Sequence, residues 1–163
     1  MKNWLVLAVV AFALWGGSHR TGTTPLASPE EQKAAYARAT DKSIDTVLQR
    51  HSDGHFYADV MVNDHVVHFL VDTGASSIAL TQDDARTAGV DFNPASFEVV
   101  GRGASGDVEG QHVNIHHVAM GQKEAWDLKS VVLKDGLGTS LLGQSFLEQI
   151  GSVSINRDEM TLR

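Results

Sequence analysis

A single carboxylate at the end of an apolar segment is the strongest candidate for chemistry in this sequence. The apolar run of residues 69–71 leads directly into Asp72, Thr73 and Gly74. A strand whose residues are all apolar is usually buried on both faces, so the sequence predicts a buried Asp72. Burying a carboxylate is costly unless the group is hydrogen-bonded or protonated. A carboxylate held in this way at the end of a rigid strand suits general acid or base catalysis.

The turn that follows Asp72 allows two interpretations. Thr73 offers a hydroxyl donor and Gly74 permits backbone angles closed to other residues, so the turn can return hydrogen bonds to the carboxylate. The same three residues are also ordinary turn chemistry, because aspartate often bonds its own backbone two residues on and glycine closes the turn. The turn alone therefore does not distinguish a catalytic carboxylate from a structural one.

The composition argues against several other functions. The chain has 163 residues, enough for one domain with appendages, and 42% of them are hydrophobic, enough for one core. The net charge of −7 argues against a nucleic acid or an anionic membrane surface as a partner. The sequence contains no cysteine, which excludes disulfides, thiol catalysis and cysteine-ligated metals.

The N-terminal segment has the pattern of an export signal. Residues 4–15 form an uncharged apolar run after Lys2, and this run is short for a membrane span of about 20 residues. Its length is typical of the apolar region of a secretory signal. We therefore interpret residues 1–20 as a signal peptide or a membrane anchor, and we expect the rest of the chain to be exported.

Residues 21–54 are interpreted as a linker followed by an amphipathic helix. Ser28 suits the N-cap, Pro29 suits the first helical position, and Glu31 completes a capping box. An alanine-rich stretch then continues to about Arg50. The pattern is compatible with a stalk, a docking helix or a cover for the site.

Many short strands are predicted over residues 55–163, where the apolar periodicity becomes strand-like. A hairpin that turns at Asn63-Asp64 delivers Asp72. The glycine-rich residues 101–107, here called the flap, form the tip of a second hairpin. Residues 141–143 (Leu-Leu-Gly) precede a short helix. Closely spaced short strands indicate a mainly β, barrel-like domain.

Residues 55–163 resemble the retropepsin-like aspartic proteases, in particular their bacterial membrane-associated branch. The matching pieces are residues 69–76 (Phe-Leu-Val-Asp-Thr-Gly-Ala-Ser), the flap, and residues 141–143 followed by Phe146-Leu147. The resemblance implies a retropepsin-like acid-protease β-barrel with short helices, here preceded by the N-terminal helix and the signal or anchor. It also implies a periplasmic location, with a tether to the inner membrane through residues 4–15 unless that segment is cleaved.

The resemblance further implies an aspartic endopeptidase that acts on extended polypeptides and needs no cofactor. Two carboxylates in contact share one proton, so that one can activate water while the other protonates the peptide carbonyl. The sequence contains a single Asp-Thr-Gly, so the pair is expected to form between Asp72 and its mate in a C2 homodimer. Thr73, Gly74 and Ala75 are expected to support the site. The flap residues expected to bind substrate are Gly101, Gly103, Ala104, Ser105 and Gly106.

Three alternatives stand beside this hypothesis. His112, His116 and His117 invite a metal site, but the third side chain would point to the other face of the strand, so no metal is expected. Ser76 or Ser105 as a nucleophile lacks the Gly-x-Ser-x-Gly elbow. The main rival is a catalytically silent retropepsin-fold module for dimerisation or peptide binding, because a fold does not imply activity.

Overall fold

The computed structural model describes residues 6–7, 28–40, 45–103 and 106–163. Most of the predicted signal or anchor, and the flap residues Ala104 and Ser105, lie outside this described part. Within it, no helix has the length and apolar character needed to cross a membrane. The strands are β1 (Val6–Leu7), β2 (Thr46–Gln49), β3 (Tyr57–Val62), β4 (His65–Val71), β5 (Ile78–Leu80), β6 (Glu98–Gly103), β7 (Gly106–Met120), β8 (Lys123–Leu133), β9 (Ser140–Leu142), β10 (Val153–Asn156) and β11 (Glu159–Leu162). The helices are α1 (Pro29–Thr40), α2 (Gln82–Thr87) and α3 (Gln144–Leu147), with a 3₁₀ turn at Pro94–Ser96.

The main sheet closes on itself, as the predicted barrel-like domain requires. Its strand order is β1-β6-β7-β3-β4-β9-β5-β8, and β8 also pairs with β7. The six strands from β7 to β8 therefore form a closed ring, while β6 and β1 extend beyond it. Closure leaves few unpaired strand edges and encloses a core. The mainly β fold is confirmed.

The hairpin of β3 and β4 carries the chain to Asp72. Its two-residue turn places Asn63 and Asp64 at φ values of 46° and 72°, the conformation that matches the twist of tightly connected strands. The predicted hairpin is thus confirmed. Along β4, Phe69 and Val71 are buried, whereas Leu70 is only partly buried. The Leu70 side chain lies on the same face of the sheet as Asp72, which comes two residues later.

Two apolar clusters fill the domain. The larger one lies inside the barrel, and its bulkiest fully buried side chains include Phe69, Ile78, Ile115, Leu142 and Phe146. The smaller one lies on the side of the partly buried Leu70. Its buried members are Ala75, Ala79, Val100, Val131, Leu133 and Leu141, and Leu70, Val108 and Leu137 pack against them. The strand end that carries Asp72 is therefore supported by apolar packing on both sides.

A second, three-stranded sheet has the order β10-β11-β2. The sequence pattern placed residues 46–49 in a helix extending to about Arg50, and this part of the prediction is wrong, because these residues form β2. Leu48 pairs with Met160 of β11 and packs on the main core. Residues 46–49 are therefore a strand because they pair with a strand far along the chain, although the local pattern predicted a helix.

Candidate active site

The Asp72 carboxylate sits on a turn that returns a hydrogen bond to it. The Gly74 N–H donates to Asp72 Oδ1 at 2.8 Å, and the Ala75 N–H donates to the Asp72 carbonyl oxygen at 3.2 Å. The Asp72 N–H donates to the carbonyl oxygen of Leu142 at 3.1 Å. The predicted feedback from the turn to the carboxylate is confirmed, and it comes from a backbone donor.

Asp72 is less buried than the apolar run predicts. It is half-buried in the single chain, and its neighbours Thr73, Gly74 and Ser76 are exposed, while Ala75 is fully buried in the smaller cluster. The prediction of a buried carboxylate is therefore wrong for the single chain, because no described residue covers the turn enough to bury Asp72. The arrangement leaves the carboxylate open to a substrate or to another protein surface.

Residues 141–143 pack directly against this turn. Leu70 pairs with Leu141 and Val71 with Leu142 in parallel register between β4 and β9. A β-carbon on Gly143 would lie 2.7 Å from the carbonyl oxygen of Ala75, closer than real side chains approach. The structure thus agrees with a packing role for the leucines and a close backbone approach for the glycine.

Two polar side chains at the start of α3 hold the same turn, and the sequence analysis missed both. Gln144 Nε2 donates to the carbonyl oxygen of Thr73 at 2.8 Å. Ser145 Oγ accepts from the N–H of Ile78 at 3.0 Å. No local pattern marks these residues, because their partners lie far away along the chain. Their position just after the Leu-Leu-Gly segment is the signal that could have pointed to them.

The flap is the tip of the hairpin that β6 and β7 form. Gly103 pairs with Gly106 across the described ends of its strands, and Gly101 lies beside a bulge in β6. Arg102 Nε and Asp107 Oδ1 are 3.0 Å apart, so an ion pair joins the two strands near the tip. The base of this hairpin packs on the smaller apolar cluster through Val100 and Val108. The flap therefore rises from the cluster that also contains Ala75.

A tyrosine with a shifted pKa lies across from β4. Tyr57 pairs with Leu70, its hydroxyl donates to Asp53 Oδ2 at 2.7 Å, and its ring stacks on His68 at 5.3 Å. Burial and, next, the hydrogen bond to Asp53 raise the pKa of Tyr57 to about 12. The phenol is therefore a neutral donor at physiological pH.

The histidines considered as metal ligands lie on β7. His112 and His116 are exposed, and His116 Nδ1 is 3.1 Å from Asp127 Oδ1. His117 stacks on Trp126 with ring centroids 4.0 Å apart. The described residues contain no group of three histidine or carboxylate side chains able to hold a metal ion. In the structure, His116 and His117 contact neighbouring carboxylates and the Trp126 indole.

A known protein family matches the part of the chain that contains the Asp-Thr-Gly turn. The family described as "gag-polyprotein putative aspartyl protease" matches residues 58–149. An uncharacterised protein of Rickettsia prowazekii is 36% identical over 116 residues, which are 71% of this chain and 50% of that protein. An uncharacterised protein of a Sinorhizobium species is 35% identical over 120 residues, or 73% of this chain and 52% of that protein. The chain spans about half the length of these curated relatives.

Solved structures share the fold. A crystal structure of a retropepsin-like aspartic protease from Rickettsia conorii matches with a TM-score of 0.62 and 34% identity, covering 72% of this chain and 89% of that one. The protease of EIAV, crystallised with an inhibitor, matches with a TM-score of 0.53 and 19% identity, covering 65% of this chain and 97% of that one. The second likeness concerns the fold alone.

Proposed function

Because the chain belongs to the retropepsin-like aspartic proteases, we propose that it is an aspartic endopeptidase that hydrolyses peptide bonds in extended polypeptides. The observation that carries this proposal is the Asp72 carboxylate, which is half-buried at a strand end and accepts the Gly74 N–H at 2.8 Å. A carboxylate that is fixed in place yet still accessible can exchange protons with a bound substrate.

The catalytic pair forms between two copies of the chain. Each copy has one Asp-Thr-Gly, and the exposed residues Thr73, Gly74 and Ser76 surround each Asp72. A C2 axis next to this turn brings the two Asp72 carboxylates together and covers the exposed backbone in one step. The same contact removes the carboxylates from solvent, whereas the described residues of one copy leave Asp72 partly exposed.

The proposed chemistry divides two proton transfers between the two carboxyl groups. The ionised Asp72 takes a proton from water while the water oxygen bonds to the peptide carbonyl carbon. The protonated Asp72 of the other copy gives its proton to the carbonyl oxygen. The tetrahedral intermediate then breaks its C–N bond. One carboxyl group gives its proton to the leaving nitrogen, and the other carboxylate takes a proton from a hydroxyl group on the former carbonyl carbon, so that the pair again holds one proton. One carboxyl group must hold a proton throughout binding, so the active form carries a single negative charge.

The flap and the smaller cluster supply the surface for the peptide. Leu70, Val108 and Leu137 are only partly buried and pack on the cluster that contains Ala75. They offer apolar contacts beside Asp72, which favours substrates with apolar residues near the scissile bond. The flap clamps the extended peptide while excluding water.

We further propose that the protein acts in the periplasm, tethered to the inner membrane through residues 4–15 unless this segment is removed. Its N-terminal helix α1 lies against β4, and Lys33 Nζ of this helix is 2.7 Å from Asp64 Oδ1 in the turn just before β4. In this position the helix can influence access to the site or dimerisation. Deleting residues 28–40 and finding the same cleavage rate and the same mass would remove that role.

The test compares the full chain with Asp72→Asn on an unfolded protein substrate. Asparagine keeps an acceptor for the Gly74 N–H but loses the proton chemistry, so cleavage should fall by at least about 10²–10⁴-fold with the mass of the dimer unchanged. Asp91→Asn, a change of the same kind at an exposed residue, is the control and should cleave like the wild type. Equal cleavage by Asp72→Asn would overturn the proposal. A dimer that binds the substrate without cutting it would favour the silent binding module.

A further inference from the structure

One peptide group in the turn is hydrogen-bonded on both sides. The carbonyl oxygen of Thr73 accepts from Gln144 Nε2 at 2.8 Å, and the N–H of Gly74 donates to Asp72 Oδ1 at 2.8 Å. These two groups belong to the same peptide unit, because the carbonyl of one residue and the N–H of the next share one plane. Fixing the direction of the carbonyl therefore fixes the direction of the N–H.

We infer that Gln144 is a positioning residue that orients the Thr73–Gly74 peptide group and thereby the N–H that binds the Asp72 carboxylate. The catalytic part of this inference rests on the proposed function, whereas the positioning part concerns the turn alone. Gln144 lies 71 residues along the chain from Thr73, and in the described hydrogen bonds it does not contact the carboxylate directly.

The side chain of Gln144 starts from a well-fixed backbone. Its own N–H donates to the carbonyl oxygen of Ala75 at 2.8 Å, and its carbonyl oxygen accepts from the N–H of Glu148 at 3.0 Å. Gly143, immediately before it, approaches the backbone of the turn too closely for any side chain. Gln144 is half-buried, which limits competition by water for its amide. The donor is thus held against the turn by its main chain as well as by its own hydrogen bond.

The hydrogen bond from Gln144 also affects the strength of the one that reaches Asp72. A carbonyl that accepts a hydrogen bond makes the N–H of the same peptide group a better donor, because hydrogen bonds in a chain polarise one another. A hydrogen bond to a carboxylate favours its charged form. Removing the donor of Gln144 should therefore weaken the hydrogen bond that the Gly74 N–H donates to the Asp72 carboxylate, a result that a role in folding alone does not produce.

Gln144→Met tests the inference, since methionine has a similar length and no donor. We expect the cleavage rate of the full chain to fall by about 3- to 10-fold, the usual size of one hydrogen bond, and the acidic limb of the pH–rate profile to move to higher pH. Gln144→Arg should restore most of the rate, because its Nε occupies the same place along the side chain as Nε2 of glutamine. Gln149→Met is the matched control, since Gln149 Nε2 donates to the Ser145 carbonyl at 3.1 Å on the exposed side of α3.

Hydrogen exchange of the Gly74 amide gives a second measurement that does not depend on activity. The inference predicts faster exchange at Gly74 in Gln144→Met than in the wild type or in Gln149→Met. Unchanged exchange at Gly74, or a lower melting temperature with no movement of the acidic limb, would overturn it. If the wild type cleaves nothing, the proposed function fails, and the exchange at Gly74 still decides whether Gln144 positions the peptide group.

Discussion

A β-carbon placed on Gly143 would lie 2.2 Å from the carbonyl oxygen of Ser77. Real β-carbons essentially never approach an atom closer than 3.0 Å, so the two segments around the carboxylate are in contact through their backbones. The turn that bears Asp72 and the segment after β9 therefore form one rigid unit, although they are far apart in sequence.

Gly143→Ala should destabilise the fold strongly. The added methyl group meets backbone atoms of Ser77 and Ala75, which cannot move without breaking the hydrogen bonds of the turn. We expect a loss of at least about 3 kcal/mol in the free energy of unfolding, measured by denaturant titration. Gly138→Ala is the control, because the space around Gly138 is open, and it should change the free energy of unfolding by less than about 1 kcal/mol.

Ser140→Ala should remove a buried hydroxyl that serves two partners. Ser140 is fully buried. Its Oγ accepts a hydrogen bond from the Thr81 N–H at 3.0 Å and donates one to Asp84 Oδ2 at 2.5 Å. We expect a loss of about 1–3 kcal/mol in the free energy of unfolding, because a backbone N–H and a carboxylate each lose a partner. Ser130→Ala provides the comparison, since the buried Ser130 only donates to its neighbour Leu128 at 3.2 Å. An equal or smaller loss at Ser140 would contradict the prediction.

Tyr57 should ionise later than an ordinary tyrosine, whose pKa is about 10. In a Tyr36→Phe background Tyr57 is the remaining tyrosine, and ultraviolet absorbance should give a midpoint near the pKa of about 12. The folded state then holds a proton that the unfolded state has lost, so stability should fall as the pH rises from about 10 to 12. Asp53→Asn should lower the midpoint only in part, because burial is the larger cause. Titration at the ordinary pH would refute the environment described for this phenol.

The cleavage rate should be greatest at mildly acidic pH. The proposed pair works only while it shares one proton, and two apparent ionisations therefore limit the rate on either side of its maximum. A profile of the rate from pH 4 to pH 9 on the unfolded substrate measures this dependence. A rate that still rises above pH 8 would contradict a carboxylate pair and favour another catalytic group.

Local chemistry accounts for the elements that the sequence predicted well. Thr81 caps α2 by accepting from the Asp84 N–H at 3.1 Å, and Gly89, just past the helix, has a φ of 62°. Both features follow from local sequence, because caps and turns depend on residues within a few positions of each other. The Asn63-Asp64 turn was predictable for the same reason.

Contacts between distant segments account for what the sequence did not predict. Residues 46–49 look helical in isolation and become a strand only because β11 pairs with them. Gln144 carries no recognisable motif, since its role depends on a carbonyl that another segment presents. Asp72 was expected to be buried from its apolar neighbours, but Thr73 and Gly74, which follow it directly, are exposed. Within the described part of the chain, the Asp72 side chain stays partly exposed.

The pairing of β2 with β11 has a consequence for how the protein is made. Leu162 lies opposite Thr46, and Arg163 Nε reaches Asp45 Oδ2 at 3.0 Å, so a loop that spans almost the whole domain must close to form this sheet. Chains dominated by such distant pairings fold in milliseconds to seconds, more slowly than helical bundles. During synthesis on the ribosome, β2 stays unpaired until its partner strand β11, residues 159–162, has emerged. Its exposed edge is then a point at which nascent chains can aggregate or require a chaperone.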